Sequence, residues 1–560
     1  MNIKTLLLIQ AIIIAFFFVS LYFLVLKIED IEEKKFNDFL NSIINDNNES
    51  IEENSTGIIK NQYIVVLRDN ATFIDEFTRT NWIKRAIDDE NGSYSKIIHY
   101  YSMPKSIGWN TPSESLKLLK KNNINGDNDI TTFKGFAAKL SPDMYEYFVR
   151  HPSVKYVECD EYVQIDDIIE NQSSNEKPIY DISSSLNDNK NDDKNKVDNN
   201  DEVEASSVVY KIKSSLNLSR LINHNPVTDI NNAYYKFGYE SAYDVYVYVV
   251  DTGVNADHSS FLDKLGYDTV DKKRVILGKN YLESEGIEDK NGHGTHVAGI
   301  IGSTTWGVAK RVNIVSVKVM NKKGSGKWSD IISAIEWCQN HLFNETTSKK
   351  GIINISLSGS VKMSANNAIK ASISQGVHFT VAAGNNGNNA CQYSPASASE
   401  YGAVVVGSIG NDDTYSKFSN YGSCITLYAP GYKILSTSNL DNTSFREMSG
   451  TSMAAPHVAG VMALILSAKN MSPRDLYNTL INEASVGYIK NLDEESPNLI
   501  AYLPQYAIAS RCNPLDPYDC INSSYKSKSK NNEENDSLKD YKLREEKVYE
   551  DNYIILQNSF

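Results

Sequence analysis

The segment Gly450-Thr451-Ser452-Met453-Ala454-Ala455-Pro456-His457-Val458-Ala459-Gly460 restricts the fold more than any other stretch of this chain. Pro456 suits the first turn of a predicted helix, where a missing N–H costs little. Ala454, Ala455, Ala459 and Gly460 keep that helix thin enough to pack closely on a sheet. Ser452 then stands at the positive end of the helix, its own N–H able to face a developing oxyanion. Taken alone, a serine at a helix start is more often an N-cap. The rest of the chain decides between these readings.

Two other segments bear on that choice. In Tyr246-Val247-Tyr248-Val249-Val250-Asp251-Thr252-Gly253 an apolar run ends in an aspartate and a glycine. It predicts a buried parallel strand with Asp251 at its C-terminal end, the edge where open α/β sheets bind ligands. In Asn291-Gly292-His293-Gly294-Thr295-His296-Val297-Ala298-Gly299-Ile300, glycines flank His293 and a small-residue helix follows. A zinc site would need a third ligand and a nearby carboxylate, and neither is suitably placed in sequence. A general base, oriented by a carboxylate behind it, suits the pattern better.

Asp251, His293 and Ser452 follow the order Asp, His, Ser of the serine triad of subtilisin. Their contexts resemble the subtilisin-like serine peptidases, in particular the proteinase-K-like and fungal vacuolar branch. The same resemblance runs through Gly307-Val308-Ala309-Lys310, Val315-Ser316-Val317-Lys318-Val319, Asn354-Ile355-Ser356-Leu357, Ala382-Ala383-Gly384-Asn385-Asn386, Ser394-Pro395-Ala396-Ser397, Phe418-Ser419-Asn420-Tyr421-Gly422 and Ala429-Pro430-Gly431. It implies a three-layer α/β/α sandwich with a mostly parallel sheet. It also implies endopeptidase action through an acyl-enzyme, with Asn385 as second oxyanion donor. By the same resemblance, Gly324-Ser325-Gly326-Lys327-Trp328 and Ser356-Leu357-Ser358-Gly359 flank an extended substrate. Ala382, Ala383 and Gly384 floor a broad, mostly apolar S1 pocket, and Trp328 walls S4.

This chain departs from the family pattern at two places. Ser358 stands where substrate normally approaches a glycine, which leaves room for a weakened or inactive binding protein on the same fold. Thr426 stands where proteinase-K-like relatives place a calcium-binding aspartate. A neutral hydroxyl replaces a carboxylate poorly, so that calcium site is not carried over, and no cofactor is expected beyond a structural calcium elsewhere. Val297 after Gly294-Thr295-His296, with Leu515-Asp516-Pro517-Tyr518-Asp519 further on, resembles the yeast subtilisin branch linked to spore-wall maturation.

The 560 residues allow two or three domains, and the net charge of −14 argues against nucleic acid as a partner. Residues 1–28 read as a signal sequence or signal anchor, the only expected membrane contact. Residues 29–60 read as a polar linker. Residues 61–165 resemble the α+β, ferredoxin-like inhibitor propeptide of subtilisins, with Glu161-Tyr162-Val163 entering the active site as product. An acidic linker (166–212), the catalytic domain (213–508) and a polar tail (509–560) follow. The expected protein is a monomeric, self-inhibited precursor in the secretory pathway, bound for vacuole, exterior or spore wall, with polypeptides as substrates. Related fungal enzymes carry cysteines near Cys391 and Cys424, and the resemblance suggests a disulfide there. Cys512 and Cys520 could close a short loop, with Cys159 and Cys338 left unpaired.

Overall fold

The computed structural model describes residues 57–68, 96–103, 132–165, 168–169, 209–238, 242–263, 272–282 and 284–508. The apolar N-terminal segment, most of the acidic linker, the tail, Cys512 and Cys520 lie outside the described residues. The first module comprises β1 (Ile58–Leu67), β2 (Lys96–Met103), β3 (Phe133–Lys139), α1 (Pro142–Arg150) and β4 (Val154–Gln164). β3 pairs antiparallel with both β1 and β2, and β4 lies beside β1. Ser141 caps α1, its hydroxyl accepting from Met144 N, and Pro142 opens the helix.

Both faces of this small sheet are buried. Val65, Leu67 and Phe136 face α1, where Phe148 meets Phe136 edge-to-face at 5.1 Å between ring centroids. Ile64, Val66, Tyr101 and Ala137 join the core of the larger module. That is why Tyr63-Ile64-Val65-Val66-Leu67 reads as a continuous apolar run rather than an alternating one. Two features differ from the expectation. β2 was not anticipated, and β4 runs on through Gln164, one residue past the Glu161-Tyr162-Val163 stretch expected to enter the active site.

The chain continues through β5 (Ile168–Ile169), β6 (Val209–Lys213), α2 (Leu216–Arg220), β7 (Tyr234–Gly238), β8 (Tyr246–Asp251), β9 (Leu262–Asp263), β10 (Lys272–Lys273) and β11 (Val275–Asn280). Next come α3 (His293–Gly302), β12 (Asn313–Lys318), β13 (Ser325–Lys327), α4 (Trp328–Glu345), β14 (Gly351–Ile355), β15 (Gly359–Ser360), α5 (Met363–Ser374) and β16 (His378–Ala382). The last elements are β17 (Tyr393–Ser394), β18 (Val404–Ile409), β19 (Leu427–Pro430), β20 (Ile434–Thr437), β21 (Phe445–Ser449), α6 (Thr451–Ala468), α7 (Pro473–Glu483), β22 (Ser485–Val486), β23 (Leu499–Ile500) and α8 (Gln505–Ile508). β6 pairs with β7, so described structure begins at Val209, inside the stretch read as linker.

Among the described residues the central sheet has nine strands, ordered β11-β12-β8-β14-β16-β18-β19-β23-β22. All neighbours are parallel except β22, which runs antiparallel to β23. Val247 and Val249 of β8 face a core shared with α3 and α6, while Tyr248 and Val250 face α4 and α5. This is the three-layer α/β/α sandwich, and it places Asp251 at the C-terminal edge of the sheet. A disulfide joins Cys391 to Cys424, with Cα atoms 5.3 Å apart. Cys159 and Cys338 are free thiols.

Candidate active site

Asp251 is 1 % exposed where β8 ends. Its carboxylate accepts from Thr252 N at 2.7 Å, and its carbonyl accepts from Val319 N and Met320 N. α3 begins at His293, next to that strand end. The approach is close: a Cβ on Gly294 would lie 2.1 Å from Gly253 O, so only glycine fits there. His293 Nδ1 then sits 2.7 and 2.9 Å from the two oxygens of Asp251. A proton on Nδ1, donated to the carboxylate, leaves Nε2 as the acceptor nitrogen.

Asp289 was not singled out from the sequence, yet it ties these two elements together. One of its oxygens accepts from Thr252 Oγ1, Asn291 N and Gly292 N, the other from Thr295 N and Thr295 Oγ1. Thr252 Oγ1 in turn accepts from Gly294 N. An aspartate three residues before a Gly-His-Gly run was the available signal.

Ser452 is buried in the first turn of α6, as the Gly450–Gly460 pattern predicts, and its hydroxyl donates to Ser356 O at 3.1 Å. The helix starts at Thr451, so Pro456 lies inside it rather than in its first turn. The proline has no N–H for the carbonyl of Ser452, four residues back. The Ser356 hydroxyl donates to that carbonyl instead, at 3.1 Å. Ser356 and Ser452 are thereby locked to each other in both directions. Asn385 follows β16. Its Oδ1 accepts from Thr451 N and Thr451 Oγ1, so the NH2 end of the amide is turned away from Thr451.

A cleft runs beside these groups, and the first module fills it. β4 pairs antiparallel with β13, Val163 opposite Gly326 and Gln164 opposite Ser325. Gln164 also bridges Ser358 on the other side, and Ile165 N donates to Gly324 O at 3.0 Å. The inserted strand extends past the expected Glu161-Tyr162-Val163 because β4 is longer. Trp328, 1 % exposed, borders the cleft beside Gly359. A Cβ on Gly359 would stand 3.1 Å from Val163 Cγ2 and 3.2 Å from Trp328 Cζ2, so Val163 and Trp328 both lie close against Gly359.

Acidic side chains of β4 complete the docking. Neither α4 nor α5 has a side-chain N-cap of its own. Asp160 accepts from Ser329 N of α4, and Glu158 accepts from Met363 N and Ser364 N of α5. These helix N-termini need acceptors, and a carboxylate also meets the positive end of each dipole. Glu161 pairs with Lys362 at 2.6 Å. On β2, His99 Nε2 lies 2.6 Å from Asp330, and Ser102 N donates to Glu336 at 2.8 Å. Burial pushes the Asp160 carboxyl up, and pushes Glu336 up to about 7.

The hydroxyl of Thr426 accepts from Val405 N at 3.0 Å, so a backbone amide uses it.

Residues 243–533, more than half of the chain, match the subtilase family, and residues 62–166 match the peptidase inhibitor I9 family. The chain is 31% identical over 385 residues to the subtilisin-like serine protease Pen ch 18 of Penicillium rubens, covering 66% of this chain and 67% of that protein. It is 34% identical over 370 residues to Proteinase R of Parengyodontium album, covering 66% and 80%. It is 39% identical over 264 residues to the extracellular serine proteinase of a Thermus strain, covering 46% and 60%. This chain belongs to the subtilase family. It is a subtilisin-like serine endopeptidase, a hydrolase of polypeptides, made as a zymogen whose own propeptide inhibits it.

Proposed function

We propose that Asp251, His293 and Ser452 are the catalytic triad, with Asn385 and the Ser452 N–H as oxyanion donors. The observation that carries this is the buried His293–Asp251 pair, 2.7 Å at its shorter contact, beside the cleft that β4 occupies. His293 Nε2 takes the Ser452 proton as the hydroxyl attacks a peptide carbonyl. Asp251 holds the imidazole tautomer and stabilises the imidazolium. The oxyanion faces the start of α6 and the Asn385 amide. His293 then protonates the leaving amine, and water releases the acyl-enzyme.

Substrate lies as an added strand between Gly324-Ser325-Gly326 and Ser356-Leu357-Ser358. Trp328 walls S4, and Ala382, Ala383 and Gly384 line S1. The precursor enters the secretory pathway through its N-terminal apolar segment. The Cys391–Cys424 disulfide suits an oxidising compartment. The resemblance to the spore-wall branch supports a role in wall maturation.

Asp251→Asn is the test. Loss of the correct tautomer lowers kcat by about 10⁴-fold with KM little changed. Unchanged kcat in a folded variant contradicts the assignment.

A further inference from the structure

Two carboxylates of β4 are held by groups that all belong to the catalytic domain. Glu161 accepts from Lys362 Nζ at 2.6 Å and from the Ser360 hydroxyl. Glu158 accepts from Met363 N at 2.8 Å and Ser364 N at 3.0 Å, in the first turn of α5. The catalytic domain itself fixes these partners. Lys362, 3 % exposed, donates its own N–H to Ser394 Oγ, and Ser360 lies in β15, paired with β17. Asp160 differs, because its carboxylate also takes Gln62 Nε2 at 2.6 Å, a group that leaves with the propeptide. Without the propeptide, the Lys362 ammonium and the start of α5 stand together lacking their acceptors.

The groove that holds β4 continues the cleft in which substrate lies as an added strand. Val163 pairs with Gly326 and lies close against Gly359, beside the Trp328 wall assigned to S4. A substrate residue in that place is P4, so Glu161 stands at P6 and Glu158 at P9. Both belong to one extended strand, so a linear peptide in the same register reaches both positions. Lys362 Nζ also donates to Cys159 O at 3.1 Å, a contact that any P8 carbonyl can make.

We propose that the matured enzyme has an acid-binding extension of its cleft, where Lys362 and Ser360 take a P6 carboxylate and the start of α5 takes one at P9. Its preferred substrates are polypeptides with acidic residues at those two positions. The inference rests on β4 marking the substrate site, as read above. A carboxylate accepts charge-assisted bonds from the ammonium and from the helix N–H groups, and a glutamine of nearly the same shape accepts weaker ones.

The experiment uses enzyme matured from the full chain and fluorescence-quenched peptides that differ only in Glu or Gln at P6 and P9. The kcat/KM for the Glu peptide is at least about tenfold higher, with both cut at the same bond by mass. In Lys362→Met the advantage of Glu at P6 falls below about twofold. Should that variant fail to mature, the wild-type ratio in 1 M KCl takes its place, and an ionic contact brings it toward one. Equal kcat/KM for the two wild-type reactions overturns the extension and leaves the active-site reading standing. A full Glu advantage in Lys362→Met, or in 1 M KCl, also overturns it. A cut at a different bond in the Glu peptide overturns the register. No hydrolysis of either peptide, or hydrolysis that persists in Ser452→Ala, contradicts the active-site reading and the extension with it.

Discussion

Ser356 and Ser452 hold each other because Pro456 leaves one helix carbonyl without its usual donor. Small departures of this kind set the geometry of the site. Asn385→Ala removes the amide that we place at the oxyanion, and kcat should fall about 100- to 1,000-fold with KM nearly unchanged. A steady-state comparison on one peptide checks this. Ser358 makes a second prediction. A Cβ built on Gly384 lies 3.0 Å from Ser358 Oγ, so the hydroxyl stands close beside the segment assigned to S1. Ser358→Gly should raise kcat/KM for peptides with a bulky apolar P1 residue by about tenfold, a gain typical of steric relief in a pocket. An unchanged P1 profile would remove Ser358 from the specificity account. Asp251 and His293 were legible because a strand end and a glycine-flanked helix start mark themselves locally. Asp289 was not, since its value comes from bonds to Thr252 and Thr295 that only the folded chain brings together.

Docking of the propeptide is decided by whole elements. α4 and α5 lack their own N-caps, and β4 supplies Asp160 and Glu158 to them. The pH dependence follows from the raised carboxyls of Asp160 and Glu336. Each group binds its proton more tightly in the docked state, so docking takes up protons. Docking is therefore strongest below the ordinary carboxylate range. It weakens as pH rises from there to about 7, by at most about tenfold per pH unit for each proton taken up. Inhibition by added propeptide, followed from pH 5 to 8, should show a rising inhibition constant, with a shallower slope in Glu336→Gln. A constant that falls with pH would reverse the argument. The sequence did not show what β2 docks against, because the partners of His99 and Ser102, Asp330 and Glu336, lie 231 and 234 residues further along the chain. The start of α1 is marked locally, because the Ser141 cap, Pro142 and Asp143 act within one turn.

At the scale of the molecule, the two-faced strand β8 and the thin helix α6 were legible as a parallel sheet covered on both sides. Buried Val-rich strands and small-residue helices have few other stable arrangements. The register of the inhibitory strand was not legible, since it depends on how far β4 continues and on its pairing with β13 and Ser358. The Cys391–Cys424 bridge spans 33 residues, a loop whose closure is worth about 3–4 kcal/mol in the chain-entropy account. Cys391→Ser with Cys424→Ser should lower Tm by several degrees in a calorimetric scan. The central claim is that Ser452 is an activated nucleophile at the mouth of a parallel sheet. Labelling with a fluorophosphonate, followed by peptide mapping of the adduct, tests it most directly. The account predicts a single adduct on Ser452 in the matured wild type, lost in His293→Ala. An unlabelled, matured protein, or an adduct on another residue, would contradict it.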